Sequence, residues 1–197
     1  MIDRLLEFTA RCLAGDRTGH DLRHARRVLA NARLLQAGEG GDLRIIEAAA
    51  VLHDCADHKL FADTEAQRKL IRSTLLGYGY SEAEADHVDY IIANISYNKG
   101  ENRPLATREA QIVRDADRLD AIGAVGIVRT IEYGTAKGRP FYDESGSEET
   151  TIAHFHEKLL KLKDLMHTAT ARRIAASRHA FLETFLQEFD DEIAGRS

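Results

Sequence analysis

The sequence predicts an all-α protein, and three observations carry that prediction. Only two prolines, Pro104 and Pro140, stand in 197 residues, so long helices run unobstructed. Val/Ile/Thr alternation of the strand type is almost absent. Apolar residues recur instead at three- and four-residue spacing through most of the chain.

Each expected element follows in order. Residues 3–14 read as a first amphipathic helix, with Leu5, Leu6, Phe8 and Leu13 inward and Gly15 as its stop. In the second helix Leu22, Ala25, Leu29, Ala32 and Leu35 form the apolar stripe. His24 falls at the stripe's edge, about 90° from its centre, where a side chain reaching sideways from a packed helix should sit. His20 lies farther round and Asp21 nearer the core, so either could orient a ligand imidazole.

The third element is the most apolar. Ile45 and Ile46, then Ala48 to Leu52, read as a helix buried nearly all round, and it ends abruptly in His53 and Asp54. An unpaired carboxylate buried there would cost several kcal/mol, roughly, or take up a proton. A divalent cation removes that cost by accepting imidazole nitrogen and carboxylate oxygen together. Asp57 follows one helical turn after Asp54, placed to accept a proton from an attacking water, and Lys59 lies two residues beyond it.

Residues 61–77 and 81–97 give two further helices, the second opened by a Ser81/Glu84 capping box after the Gly77/Gly79 turn. His87 reads as a surface residue. Residues 107–121 form a helix whose apolar face is Ile112, Val113, Ala116, Leu119 and Gly123, yet it also carries Asp115, Asp117 and Asp120. Helical phase puts Asp120 nearest the apolar centre and the other two about 100° to either side, so at least one carboxylate points inward and phase does not choose which. Residues 134–150 are the long irregular segment. Lys137 and Arg139, with Gly134 and Gly138 beside them, suggest a lid. Beyond it Ile152, Phe155, Leu159, Leu162 and Met166 make one helical stripe, with His154 and Lys158 on another face. A long amphipathic helix, about residues 168–195, closes the core.

Composition narrows the class. Hydrophobic content of 44% and charged content of 30% are those of an ordinary globular protein, long enough for one domain over 1–197. A formal net charge of -5 argues against a stable nucleic-acid complex while leaving room for a local phosphate pocket. Cys12 and Cys55 are the only cysteines, which excludes a disulfide framework and a Cys-rich zinc site. The start Met1-Ile2-Asp3-Arg4 has no leader pattern and no apolar run approaches ~18 residues, so the expectation is a cytoplasmic protein without a membrane partner.

Read together, His24, then His53-Asp54, then Asp117 form an H…HD…D pattern that resembles the HD superfamily of metal-dependent phosphohydrolases. The blocks from Gly19 to Val28, from Leu52 to Lys59, from Val113 to Gly126 and from His154 to Lys158 resemble one subgroup of small bacterial HD hydrolases. The likeness runs from about residue 18 to about residue 180. It implies a single HD-domain helical bundle with a long loop before the last two helices.

The resemblance further implies His24, His53, Asp54 and Asp117 as metal ligands, Asp57 as the carboxylate that activates water, and Lys59, Lys99, Arg118, Arg139 and Lys158 as phosphate contacts. His20, Asp21, Arg27 and Asp120 would support the ligands. The subgroup shows Ser-Phe-Lys-Gly where this chain has Ser96-Tyr97-Asn98-Lys99-Gly100, one residue longer. The extra histidines of two-metal HD phosphodiesterases have no match, so one divalent ion is expected. Two nitrogens and two carboxylates suit Mn2+ first, then Fe2+, Co2+, Ni2+ or Mg2+, better than a closed zinc site. The resemblance suggests a nucleotide substrate, with a triphosphate cleaved to monophosphate and pyrophosphate; a 5′-nucleotidase acting on monophosphates and a non-catalytic nucleotide- or metal-sensing module are the alternatives. A homodimer is left open. The metal reading requires the His53 and Asp117 side chains to come within ~8 Å of each other.

Overall fold

The arrangement begins with a helix that has almost no solvent-facing side. The computed structural model describes residues 1–16, 19–58, 60–95, 104–143 and 150–196, and no strand occurs among them. In chain order the helices are α1 (Ile2–Cys12), α2 (Leu22–Glu39), α3 (Leu43–Leu52), α4 (Thr64–Gly77), α5 (Glu82–Ile95), α6 (Arg108–Asp120), α7 (Gly123–Ala136), α8 (Thr151–Glu157) and α9 (Ala169–Ile193). Single 3-10 segments, His53–Ala56 and Leu159–Leu165, follow α3 and α8. The chain divides into two compact units, residues 1–117 and 118–197. No helix among the described residues is long and apolar enough to cross a membrane.

In the first unit α3 packs against α1, α2 and α5. Ile46 and every residue from Ala48 to Leu52 are fully buried. The three alanines, Ala48 to Ala50, add little bulk and so let neighbouring helices approach closely. Each larger apolar side chain fully buried here contributes about 1.5–3 kcal/mol relative to exposure. Glu47 interrupts the apolar run at the helix surface, where Arg33 Nε donates to its Oε1 at 2.6 Å. Asp42 caps the N-terminus by accepting from the Arg44 and Ile45 amides at 2.9 and 3.3 Å. The Ser81/Glu84 capping box is present reciprocally at the start of α5, with Ser81 N–H to Glu84 Oε2 at 2.7 Å and Glu84 N–H to Ser81 Oγ at 3.2 Å.

The second unit is built on Phe155, Leu159, Leu162, Met166, Ala171, Ala175, Leu182 and Leu186, all buried. The stripe expected as one helix after residue 150 is divided. Its apolar residues do turn inward, but α8 ends at Glu157 and the chain continues as the 3-10 segment. Neither proline nor glycine marks that break in the sequence.

The irregular segment is shorter than the expected 134–150. Helix α7 continues to Ala136, and Gly134 lies inside it, where an added Cβ would sit 2.1 Å from Thr151 Oγ1. That glycine allows close approach rather than swing. The next residues are anchored: Pro140 and Phe141 carbonyls accept from the Thr151 and Ile152 amides at 2.9 and 3.0 Å, and the Phe141 and Tyr142 rings meet Phe189. The tip of the expected lid, residues 144–149, lies outside the described residues.

The turn from α6 into α7 is equally close-packed. Gly123 takes φ +78°, a conformation that disfavours other residues, and an added Cβ on Gly126 would lie 2.4 Å from the Ala121 carbonyl oxygen. Because that neighbour is backbone, it cannot rotate away. Gly126→Ala is expected to lower stability by about 1–3 kcal/mol, read as a lower urea midpoint at unchanged slope.

Candidate metal centre

Helix α3 changes character where its apolar run ends. Leu52 (φ -97°, ψ -6°) leads into the 3-10 segment His53–Ala56, and Asp57 leaves it in an extended conformation. The sequence reading assumed a continued α-helix. Asp57 instead follows the 3-10 segment rather than a further α-helical turn, its amide donating to the Asp54 carbonyl at 3.2 Å. His53 and Asp54 are buried, and Asp57 is half-buried.

His53 Nδ1 lies 2.9 Å from the Ala50 carbonyl. A carbonyl only accepts, so Nδ1 carries the proton and Nε2 presents its lone pair. Helix α2 brings His24 opposite. Asp21 caps that helix, its Oδ1 accepting from the His24 amide at 2.9 Å, so the aspartate steadies the first turn, on which His24 sits. His24 was expected at the edge of the stripe, yet its side chain is only 1% exposed. The buried face of α2 is wider than the apolar stripe because Val28 and Asn31 are buried with it.

Four side chains converge. His24 Nε2 lies 3.2 Å from His53 Nε2, 3.4 Å from Asp54 Oδ2 and 3.4 Å from Asp117 Oδ1. His53 Nε2 lies 3.3 Å from Asp54 Oδ1 and 3.9 Å from Asp117 Oδ1, well within the separation the metal reading required. Asp54 thus spans both imidazoles with one oxygen toward each. Donor atoms of His24, His53 and Asp117 all lie within 4.8 Å of one another.

This donor set fits a divalent cation. A single N–H on His24 Nε2 could satisfy one of the three lone-pair carriers facing it and would leave the others opposed. Asp54 Oδ2 is buried without a hydrogen-bond partner. Two carboxylates facing two imidazoles also concentrate negative charge where water is largely excluded, and a cation offsets it. The 3.2–3.4 Å separations match the spacing of neighbouring donors around one ion, about 3.0–3.4 Å for bonds near 2.1 Å.

The three aspartates of α6 differ in a way that helical phase could not resolve. Asp115 is fully buried; Asp120 is buried and paired with Arg129 at 2.7 Å; Asp117, 37% exposed, is the one that meets the histidines. Phase ranks burial, and Asp117 is the least buried of the three.

The other expected site residues fall as follows. Asp57 Oδ1 lies 3.4 Å from His58 Nδ1. The His20 ring meets His24 edge-on with centroids 6.0 Å apart, and Arg27 is half-buried. Arg118, expected on a phosphate, is buried in the second unit, where it donates to the Leu165 carbonyl and lies 3.4 Å from His167 Nε2. Arg139 stacks over the Tyr133 ring at 5.7 Å, and Tyr133 in turn stacks with His154. Burial, then the charges of Lys158 and Arg139, hold the His154 imidazole below its ordinary pKa. Lys59 and Lys99 lie outside the described residues. His87, read as a surface residue, is half-buried, with Nε2 3.0 Å from Thr107 Oγ1.

Asn31 was missed. It lies seven residues after His24, on the same face of α2, and its Nδ2 donates to the Ala116 carbonyl at 3.1 Å in the core. An amide inside an otherwise apolar stripe was the available signal. It ties the helix carrying His24 to the residue preceding Asp117.

Comparison with known proteins follows this geometry. Residues 21–122, more than half of the chain, match the HD domain family model, and the range includes all four converging side chains and Asp57. The Uncharacterized protein YpgQ of Bacillus subtilis (strain 168) is 40% identical over 186 residues, covering 93% of this chain and 89% of that protein. The crystal structure of B. subtilis YpgQ in complex with ADP superposes with TM-score 0.86 over 100% of both chains, at 34% identity across that superposition. A Bacillus thuringiensis HD-superfamily hydrolase superposes with TM-score 0.82 at 43% identity, over 98% of this chain and 96% of that one.

Asn31→Ala should lower stability by about 1–3 kcal/mol through loss of the buried hydrogen bond, measured by urea unfolding of the metal-free chain. A loss under about 0.5 kcal/mol would mean that the tie to Ala116 contributes little.

Proposed function

The chain belongs to the HD domain family, and from that premise we propose that it is a metal-dependent phosphohydrolase acting on a nucleotide, cleaving a nucleoside triphosphate to monophosphate and pyrophosphate. The observation that carries this reading is the convergence of His24, His53, Asp54 and Asp117, with the unpartnered Asp54 Oδ2 at its centre. HD domains bind divalent metals, and the His24–His53–Asp117 cluster is a group able to hold one. The ADP complex of the B. subtilis relative supports a nucleotide as the substrate class.

A divalent ion, Mn2+ first, would polarise a phosphoryl oxygen and lower the pKa of a water. The protein's own groups supply the rest. His53 enters as the tautomer fixed by Ala50, so its Nε2 lone pair is committed without a proton having to leave. Asp54 and Asp117 bring carboxylate oxygens to the same two imidazoles, a donor set that favours retention of a cation. Asp57, half-buried at the end of the 3-10 turn, accepts the proton of the attacking water. Within the second unit Arg139 and Lys158 are the proposed phosphate contacts. Arg118, a further proposed contact, also donates to the Leu165 carbonyl.

A panel of nucleoside tri-, di- and monophosphates, run with each divalent metal and scored for pyrophosphate against phosphate, tests the reading. Pyrophosphate from triphosphates supports it. Phosphate from monophosphates alone would make the protein a 5′-nucleotidase, and binding without turnover would make it a sensing module. Asp54→Ala should lose metal and activity together. Asp57→Ala should retain the metal, checked by Mn2+ titration, and turn over about 10²–10⁴-fold more slowly. A parent-like rate for Asp57→Ala would remove it as the base.

A further inference from the structure

The two cysteines, 43 residues apart in sequence, lie side by side in the first unit. Cys55 is fully buried in the 3-10 turn, between Asp54 and Asp57. Its Sγ donates to Thr9 Oγ1 at 3.7 Å, and Thr9 Oγ1 donates in turn to the Val51 carbonyl at 3.1 Å. Thr9 and Cys12 are three residues apart on α1 and so share one face of it. The Cys55 sulfur therefore sits against the face that carries Cys12, and the two thiols are close enough to interact.

Their exposures differ in a useful way. Cys12 is half-buried and lines a surface groove with Phe8, Arg11, Phe61, Gln67 and Leu70, whereas Cys55 has no exposed surface. The hydrogen bond to Cys55, with a contribution from the Arg11 charge, holds the Cys12 thiol below its ordinary pKa despite partial burial. One sulfur is thus reachable from solvent, and the other is buried and adjacent, the division of labour of an attacking and a resolving cysteine.

We propose that Cys12 and Cys55 form a site of reversible oxidation by hydroperoxides, closing to a disulfide that ties the end of α1 to the turn bearing His53 and Asp54. The Cys12 thiolate attacks the peroxide oxygen and breaks the O–O bond, giving a sulfenic acid and releasing hydroxide or alkoxide, which takes up the proton lost from Cys12. Cys55 then attacks the sulfenic sulfur; the S–O bond breaks, and hydroxide leaves as water with the Cys55 proton. Two thiols are oxidised, and one peroxide is reduced to two waters, or to water and an alcohol. The sulfurs must close to about 2.05 Å. That movement draws on the backbone next to Asp54, so disulfide formation weakens metal binding at the centre.

The inference stands apart from the proposed activity, since its first readouts are thiols and mass. The full-length, metal-free chain is treated with hydrogen peroxide. The expected results are loss of both titratable thiols, a mass lower by about 2 Da, a non-reduced peptide joining Cys12 to Cys55, and full reversal by dithiothreitol. Cys12→Ser should leave Cys55 unoxidised, and Cys55→Ser should carry Cys12 on to oxygen-gaining products. Mn2+ affinity, followed by electron paramagnetic resonance, should fall about tenfold in the oxidised chain and recover on reduction. Two thiols still free after peroxide, or Cys12 over-oxidised in the parent with Cys55 intact, would overturn the disulfide. Equal Mn2+ affinity in both forms would overturn its link to the centre.

Discussion

The structure depends on what happens at the C-terminal end of a helix with no free side. From Ala48 to Ala56 every residue is buried, so the backbone of α3 and its 3-10 extension cannot shift without disturbing neighbours all round. A carboxylate at such a place would ordinarily be expelled or protonated. Asp54 is met there by two imidazoles, one facing each of its oxygens. The apolar burial that makes α3 rigid also makes its polar end costly, and that cost is offset by assembling Asp54, His53, His24 and Asp117 at one point.

Local hydrogen bonds do the positioning. His53 is oriented by a carbonyl of its own helix, three residues back; His24 rides on a first turn capped by Asp21; and Asn31 joins α2 to α6 at the residue before Asp117. None of these three bonds touches the point of convergence. Each fixes a rotamer, a tautomer or a register, and donors held in advance lose less entropy when they bind. This explains how donors from three separate helical elements, 93 positions apart at the extremes, arrive within 4.8 Å of one another.

Much of this was legible in the amino-acid sequence, for identifiable reasons. Helices and their capping box come from local signals, periodicity and side-chain chemistry, and these survived folding with shifts of a few residues at the ends. The HD dyad stood out because its residues conflict with the apolar run before them. What escaped was non-local or conformational. Periodicity could not reveal the tightening of α3 into a 3-10 turn, the division of the stripe after Glu157, or Gly134 filling out a helix rather than hinging a loop. Phase placed Asp120 deepest, and it is deep, but bound to Arg129. The neighbourhood of Cys12 and Cys55 was invisible too, since nothing in the spacing of two cysteines says that α1 crosses the dyad turn.

The exposure of the four converging side chains has a direction. His24 is 1% exposed, His53 5% and Asp54 8%, while Asp117 stands at 37%. Three donors thus form a closed floor, and the fourth forms a rim. Among the described residues, Asp117 is the member of the cluster most open to solvent. Asp57 is half-buried, deeper than Asp117 yet not sealed like Asp54. The same gradient accounts for the failure of helical phase to single out Asp117. A residue that faces an opening is, by that fact, less buried than those that only fill the core.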